Sequence, residues 1–403
     1  MTIDPRITIL LTLKGRPLFT LRWLWHASRV GLPFSVLIAD GEVDSTIARV
    51  LEKADVFPNL RFEYHRYNDH TLSDFYRKLQ DALSKIKTPY VMLSDNDDFL
   101  FPSGIIKSLD YLDRSPDYVS VGGGIGHFEI RDGASQHLHV HGRIARLWYQ
   151  QARAYQAFDL HQSLASERVC ETYTGSLTVH YNVNGLEALR CVVDELTLHD
   201  FHMLESGEVF WKLRLATLGK IKSDSSYVSY FRQLGTSFNP LRETDFISRI
   251  SNEGYIGEMQ RAMKIIAAVV AKVDGTNQDV VEERLEKISA EHLRKKLIQM
   301  LGWRATVKSY VKKVIPESVL RQAQVVGDRI RSGKSSTTGG RPMSHGGIFK
   351  LTAGAGAPKE LIETQRRELA EMEATLQGRE FLAFVRLQAP ELLLEKRGHL
   401  AAV

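Results

Sequence analysis

The 403-residue sequence has only two cysteines, Cys170 and Cys191, and no hydrophobic run long enough to cross a membrane. Two isolated cysteines fit neither a cysteine-rich metal site nor a disulfide framework, which favours a reducing compartment. A membrane span needs roughly 18 apolar residues in succession. The N-terminal residues also lack the positively charged start and the small-residue cleavage pattern of a secretory signal. We therefore expect a cytoplasmic protein without an export signal.

The first predicted strand and helix lack the glycine fingerprint of dinucleotide-binding proteins. Residues 7–12 have the apolar pattern of a buried strand, and the helix predicted from Pro17 follows a Thr-Leu-Lys-Gly-Arg segment, not Gly-x-Gly-x-x-Gly. The later glycines of residues 122–126 have a different spacing. We interpret them as a site of close backbone packing or a bulge.

Positive charge is modest overall, with a formal net charge of +5, but basic residues cluster in residues 303–334. Apolar residues alternate with them, as in a basic amphipathic helix that lies on an anionic membrane surface. A solvated pair of helices packed on the main domain is the alternative interpretation. No aromatic stacking platform accompanies the cluster, so nucleic-acid binding is not expected.

Strand and helix patterns alternate over the first hundred residues. Strands are predicted at 34–39, 61–65 and 90–94, and helices at 43–53, 71–86 and 104–113. Such alternation indicates βαβ crossovers and predicts an α/β fold, with a mainly parallel sheet that has helices on both faces.

The length exceeds what one hydrophobic core usually supports, so we expect more than one structural unit. We assign the α/β domain to residues 1–250 and a helical, basic amphipathic extension to 251–331. A flexible Gly- and Ser-rich linker is predicted at 332–358. A C-terminal helical segment is predicted at 359–403.

The most informative stretch is the acidic cluster Asp95, Asp97 and Asp98, which directly follows the strand at 90–94. Carboxylates this close repel one another unless a cation neutralises them, and Mg²⁺ and Mn²⁺ prefer oxygen ligands. The cluster thus predicts a metal site at the carboxyl end of a strand, where open α/β sheets bind ligands. The alternative is that Asp and Asn simply favour turns.

A second informative stretch contains Glu205 and Glu208, at the start of a helix that Ser206 could cap and Gly219 ends. A carboxylate in the first turn is favoured by the helix dipole, which is the structural alternative to a catalytic role for Glu208. Further along, Arg232 and Gln233 open a predicted loop whose donors suit phosphate or sugar oxygens. The three histidines at 137, 139 and 141 have zinc-like spacing, but a solvated hairpin is the favoured interpretation.

Taken together, these motifs resemble the inverting glycosyltransferases of the GT-A fold and the family-2 type. The resemblance covers about residues 5–245 and includes, in order, Asp40-Gly41, the acidic cluster at 95–98, the Glu208 helix with Trp211, and the Tyr-Phe-Arg-Gln segment at 230–233. Its most specific parts are the acidic cluster and the Glu208 helix.

The resemblance implies a role for each matching residue. Asp40 would contact the nucleotide base or ribose, and Asp95 the ribose and the metal region. Asp97, or Asp98 since the register is ambiguous, would bind Mn²⁺ or Mg²⁺ at the donor diphosphate. Glu208 would be the general base. Gly207 stands where the family has the Glu of a Glu-Asp pair, and Glu205 remains a rival base.

These observations predict a metal-dependent transferase that moves a sugar from a nucleotide donor to a hydroxyl of a glycan or a lipid-linked acceptor. It would be cytoplasmic, with a peripheral attachment to the membrane as the further option. The alternatives are a binding or scaffold protein that has kept the fold and lost turnover, and a nucleotidyltransferase that uses the same carboxylates.

Overall fold

The computed structural model describes residues 2–42, 46–52, 57–123, 125–132, 138–140, 143–150, 158–174, 179–224, 227, 229–233, 252–303 and 348–349. Within these ranges, the side chains of residues 18, 29, 46, 125–132, 138–140, 143–150, 231–233, 294, 296–303 and 348–349 are left out. The statements that follow concern the described part of the chain.

Strands and helices alternate in the described part of the chain up to residue 95, and the order is irregular after that. The strands are β1 (Asp4–Leu13), β2 (Phe34–Asp40), β3 (Phe62–Arg66), β4 (Tyr90–Asp95), β5 (Asp98–Leu100), β6 (Tyr118–Gly123), β7 (Ile125–Asp132), β8 (Leu138–Val140), β9 (Arg143–Gln150), β10 (Phe158–Leu160), β11 (Val183–Gly185), β12 (Lys220–Asp224), β13 (Tyr230–Gln233) and β14 (Ile348–Phe349). The helices are α1 (Pro17–Val30), α2 (Thr46–Leu51), α3 (Leu72–Lys85), α4 (Pro102–Arg114), α5 (Ala165–Thr174), α6 (Leu186–His199), α7 (Leu204–Leu218), α8 (Glu253–Asp274) and α9 (Gln278–Trp303).

Eight strands form the larger sheet, in the order β10-β12-β6-β11-β4-β1-β2-β3. β1 pairs in parallel with both β2 and β4, and β2 pairs in parallel with β3. Only β10 and β11 run antiparallel to their neighbours within this sheet. The prediction of an α/β fold with a mainly parallel sheet is confirmed.

Helices cover both faces of the larger sheet, because side chains of successive strand residues point to opposite faces. In β1, Leu10 packs in a core with α3, α5, α6, α7 and α8. Its neighbours Ile9 and Leu11 pack in a second core with α1, α2 and α4. Both cores consist mainly of buried aliphatic and aromatic side chains, and β1 contributes to each of them.

A smaller sheet has the order β14-β9-β7-β13-β5, with β8 beside β9. Its strand β5 begins with Asp98, the last residue of the acidic cluster. β5 pairs antiparallel with β13, and Arg232 lies opposite Asp98 in that register. Arg232 and Gln233 therefore belong to a strand, and the prediction of a loop beginning at these residues is wrong.

Residues 122–126 include the close backbone packing that their glycines predict. A Cβ added at Gly122 in β6 would lie 1.9 Å from Oδ1 of Asn182, which precedes β11. The Asn182 side chain also donates to Ser120 Oγ at 3.0 Å. The absence of a side chain at residue 122 thus lets this asparagine connect β6 to the start of β11.

The start of α7 differs from its prediction. The helix begins at Leu204, so Ser206 lies inside its first turn and does not cap it. The carboxylate of Glu258 in α8 accepts the backbone N–H groups of His202 and Met203, at 2.9 and 3.2 Å, and also the Ser206 hydroxyl. A carboxylate from α8 thus holds the two residues that precede α7 and one hydroxyl of its first turn.

None of the described helices is both long enough and apolar enough to cross a membrane. The basic amphipathic residues after 303, most of the predicted linker at 332–358 and the helical segment at 359–403 lie outside the described residues, except that the backbone of β14 pairs with β9. His137 and His141 are also outside them. The predicted domain boundaries and the two interpretations of residues 303–334 stay predictions.

Replacement of Glu258 by alanine should lower the free energy of unfolding by about 1–2 kcal/mol, because the backbone N–H groups of His202 and Met203 and the Ser206 hydroxyl lose their acceptor. Urea unfolding of the full chain measures the change. Glu283→Ala in α9, where the side chain is exposed, is the matched control and should change stability by less than about 0.5 kcal/mol. Equal effects of the two substitutions would contradict a stabilising role for Glu258.

Candidate functional site

The three aspartates of the acidic cluster converge at a tight turn between two buried strands. β4 ends at Asp95, residues 96–97 form the turn, and β5 begins with Asp98. Each of the three residues offers a carboxylate oxygen, and these oxygens lie within 4.8 Å of one another. Asp97 and Asp98 are buried, at 6% and 1% exposure. The turn thus gathers three hard oxygen donors of the kind that Mg²⁺ and Mn²⁺ prefer.

Asn96 holds this turn against α1. Its side chain is buried and donates from Nδ2 to Thr20 Oγ1 at 3.1 Å. On the other side of Asp95, Ser94 Oγ accepts the indole N–H of Trp23 at 3.2 Å. These contacts fix the backbone on both sides of Asp95, so the acidic residues are presented by a rigid support. Sequence reasoning missed Asn96, because an asparagine in a turn has no distinguishing pattern.

Asp95 is fixed through both of its oxygens. Thr12, its neighbour in the pairing of β1 with β4, donates to Oδ1 at 3.3 Å. Tyr181, just before β11, donates to Oδ2 at 2.5 Å. The carboxylate of Asp95 is therefore oriented by two hydroxyl groups from two different elements.

Asp40 ends β2 at the same edge of the sheet. Leu13 of β1 pairs with Asp40, and the adjacent Thr12 pairs with Asp95 on the other side of β1. The carboxylate of Asp40 accepts the Tyr64 hydroxyl at 2.7 Å and the backbone N–H of Glu42 at 3.0 Å. The two aspartates that sequence reasoning placed at strand ends thus lie on either side of the central strand.

A buried ion pair lies behind this edge. Lys78 of α3 is 2.5 Å from the carboxylate of Asp69 and also donates to the carbonyl oxygen of Leu13, at 3.2 Å. Burial lowers the pKa of Lys78, and the negative charge of Asp69 opposes that effect. A Cβ at Gly41 would lie 2.6 Å from Asp69, so only a glycine leaves room for the pair. No sequence pattern indicates this pair, since Asp69 and Lys78 fit an ordinary surface loop and helix.

Glu205 and Glu208 both lie on α7, but in different turns. Glu205 is in the first turn and Glu208 follows one turn later, which differs from the predicted first-turn position. Burial raises the pKa of Tyr76 in α3, and the charges of Glu208 and Glu258 raise it further. The carboxylate of Glu208 is thus electrostatically coupled to the Tyr76 hydroxyl.

Gly207 is required by the same tyrosine. A Cβ at residue 207 would lie 2.0 Å from the Tyr76 hydroxyl oxygen, inside any allowed contact. The chain therefore has no room for the glutamate that the resemblance places before Glu208. The missing Glu-Asp pair reflects how α7 packs against α3, and Glu208 keeps its place in the helix.

Residues 180 and 181 connect α7 to the acidic turn. Trp211 follows Glu208 by three residues and therefore lies on the same face of the helix. Its ring centroid is 5.2 Å from that of His180, and the adjacent Tyr181 donates to Asp95. One short segment thus contacts both the helix that carries Glu208 and the turn that carries the three aspartates. Arg232 and Gln233 adjoin that turn through their backbone, because β13 pairs with β5.

No protein-family model and no curated protein sequence matches this chain. Among solved structures, the chain is similar to TarS from S. aureus, with 11% identity and a TM-score of 0.45 over 78% of this chain and 50% of TarS. The TarS fragment 1–349 matches with 12% identity and a TM-score of 0.44, over 88% of this chain and 98% of the fragment. A further structure of that fragment, in complex with UDP-GlcNAc, has a TM-score of 0.42. Because the identities and TM-scores are this low, the function proposed below rests on the residues of this chain.

Gly207→Ala should lower the free energy of unfolding by about 1–3 kcal/mol, because the added methyl group overlaps the Tyr76 hydroxyl. Adding Tyr76→Phe to the same chain should recover part of this loss, since it removes the overlapping oxygen. Urea unfolding of the two single variants and the double variant measures the coupling.

Gly257→Ala is the matched control for this cycle. Gly257 lies in α8 with nothing within 4 Å of an added Cβ. Alanine is the better helix former, so this variant should gain about 0.5–1 kcal/mol. Strictly additive effects of Gly207→Ala and Tyr76→Phe would show that the two side chains do not compete for space.

Proposed function

We propose that the protein is a metal-dependent, inverting glycosyltransferase of the GT-A fold and the family-2 type. It moves a sugar from a nucleotide-diphosphate sugar to a hydroxyl group of a glycan or a lipid-linked acceptor. The observation that supports this most directly is the convergence of Asp95, Asp97 and Asp98 at the carboxyl edge of a mainly parallel sheet. Ligands of open α/β sheets bind at that edge.

The donor nucleotide would lie across the ends of β1, β2 and β4. Asp40 is at the end of β2, held by Tyr64 and by the backbone of Glu42, and is assigned to the base or ribose. Asp95 is at the end of β4, fixed by two hydroxyl donors, and is assigned to the ribose and the metal region. The rigid support of both carboxylates suits the positioning of a substrate.

Asp97 and Asp98, together with Asp95, would hold the divalent cation. The donor set fits Mn²⁺ or Mg²⁺, because it consists of carboxylate oxygens brought together at a single turn. When bound, the cation supplies stabilisation of the negative charge that develops on the departing nucleoside diphosphate. Asp97 and Asp98 hold their oxygens in place for it, and the buried position of the turn limits access of water.

Glu208 would accept the proton of the attacking hydroxyl. A single in-line attack requires a base on the side of the sugar opposite the leaving group, and it inverts the anomeric centre. Trp211 places the Glu208 face of α7 against His180, beside the residue that contacts Asp95. Glu205, in the preceding turn, is the rival for this role.

Asp97→Asn should abolish the metal-dependent binding of the nucleotide donor, because it removes one charged ligand from the cluster. A thermal-shift panel of nucleoside diphosphates and nucleotide sugars, each with and without Mn²⁺, measures this. A ligand at 100 times its Kd stabilises the native state by about 2.7 kcal/mol, which raises the Tm by several degrees.

Asp279→Asn is the matched control, because Asp279 is exposed in the first turn of α9. It should keep the full Mn²⁺-dependent shift. If the unmodified protein responds to no nucleotide in the presence of Mn²⁺, or if Asp97→Asn responds as strongly as the control, the proposed function is wrong.

Glu208→Gln should keep donor binding and lower the rate of transfer by about 10²–10⁴-fold, the usual contribution of a general base. The readout is release of the nucleoside diphosphate from the donor identified in the panel, with water or a glycan as acceptor. Glu205→Gln is the matched comparison on the same helix and should retain activity. The opposite result would assign the base to Glu205.

A further inference from the structure

Arg16 lies in the loop that follows β1, between the ends of the strands that carry Asp40 and Asp95. The loop is short, since β1 ends at Leu13 and α1 begins at Pro17. Asn96 of the acidic turn reaches it by donating to the carbonyl oxygen of Gly15 at 3.5 Å. The backbone at Arg16 is therefore connected to the same turn that carries the three carboxylates.

The backbone of Arg16 has a conformation that an arginine rarely adopts. Its φ is +58°, in the left-handed region, directly after Gly15 at +65°. A residue with a Cβ is strained there, and glycine or asparagine would be easier to accommodate. Such strained residues concentrate at functional sites, where the surrounding structure holds them in place.

The guanidinium of Arg16 is held in place by two neighbours. Its Cζ lies 4.0 Å above the ring centroid of Phe19, and Nη1 donates to Asp97 Oδ2 at 3.3 Å. Nη2 is buried, and no acceptor among the described residues lies within hydrogen-bonding distance of it. A buried N–H donor without an acceptor is costly, so a ligand that supplies one would bind favourably at this position.

The charges around Arg16 indicate what kind of ligand this is. Three carboxylates and one guanidinium leave a net charge of about −2 at the turn, which a divalent cation would neutralise. An anion would then be attracted by the cation and by Arg16 together. The planar fork of arginine fits the tetrahedral oxygens of a phosphate group, which a lysine would meet as a single point charge.

We propose that Arg16 binds the diphosphate of the donor, with Nη2 donating to a phosphate oxygen while Nη1 remains on Asp97. Arg16 thereby links the anion to the metal-binding turn, and the stacking on Phe19 keeps the guanidinium in the required plane. The assignment of the anion as a diphosphate rests on the proposed function. The presence of an anion site beside Asp97 rests on the geometry of Arg16.

Inorganic pyrophosphate is the probe, titrated calorimetrically into the full chain with and without Mn²⁺. The unmodified protein should bind it in the presence of Mn²⁺. Arg16→Gln and Arg16→Gly should bind it about 10-fold more weakly or worse, the loss expected for a charged hydrogen-bond donor. Arg16→Lys should be intermediate. Glycine suits the left-handed backbone, so Arg16→Gly also tests the loss of the side chain without added strain.

Titration with Mn²⁺ alone gives a second readout, because the substitution should change the affinity for Mn²⁺ in the opposite direction to the affinity for pyrophosphate. Removing a positive charge that shares Asp97 should make Arg16→Gln bind Mn²⁺ more tightly than the unmodified protein does. A general structural defect would weaken the binding of both pyrophosphate and Mn²⁺. Arg77→Gln is the matched control, because Arg77 is exposed on α3 and forms its ion pair with Asp74, away from the acidic turn in the sequence. It should bind both ligands as the unmodified protein does.

The outcomes separate this inference from the proposed function. Weaker pyrophosphate binding with tighter Mn²⁺ binding in Arg16→Gln supports the anion site. Such a result, combined with no binding of any nucleotide sugar, would retain the anion site and reject the glycosyltransferase. Undiminished pyrophosphate binding by Arg16→Gln, no pyrophosphate binding by the unmodified protein, or weaker binding of both ligands would overturn the role of Arg16.

Discussion

The repulsion between three carboxylates at one turn is the constraint on which this end of the molecule depends. The carboxylate oxygens lie within 4.8 Å of one another. At that upper limit and an effective dielectric constant of about 20, two such charges repel by on the order of 3 kcal/mol. The fold opposes this repulsion with groups supplied from four separate places. Thr12 and Tyr181 donate to Asp95, Arg16 donates to Asp97, and Asn96 fixes the turn to α1.

β1 makes this arrangement possible because it lies at the centre of the parallel part of the sheet. It pairs with β2 on one side and β4 on the other, so its last residues set the separation of Asp40 and Asp95. The same strand is buried from both faces. The edge that carries the charged residues is thus supported by the most extensively packed strand of the domain, which limits how far the carboxylates can move.

The parts of this structure that are predictable from the sequence are those with a strong local pattern. β1 to β4, α1, α3 and α4 have apolar periodicity that matches their burial, and the acidic cluster follows directly from its position after β4. α5, α6 and β12 were missed, because their positions depend on packing against distant elements. Lys78 illustrates the difficulty, since its ion pair with Asp69 becomes evident only when the packing of Asp69 against Gly41 is known.

The same limit applies to the site. The positions of Asp95, Asp97 and Asp98 could be inferred from spacing alone, whereas Tyr181 and Asn96 could not. Tyr181 is 86 residues from the carboxylate that it contacts, so no local pattern connects the two. Gly207 is a related case, because the need for a glycine at this position comes from Tyr76 of another helix.

The hydrogen bonds of Glu258 to the residues that precede α7 join α8 to the helices that cover the sheet. A fragment that ended at residue 250 would lack this carboxylate, and it would also expose the core surface against which Ala262, Ile266 and Val270 pack. Division of the chain for expression or crystallisation should therefore keep α8 with the sheet. The helix that carries Glu208 depends, for its own first turn, on a segment that begins more than forty residues later in the chain.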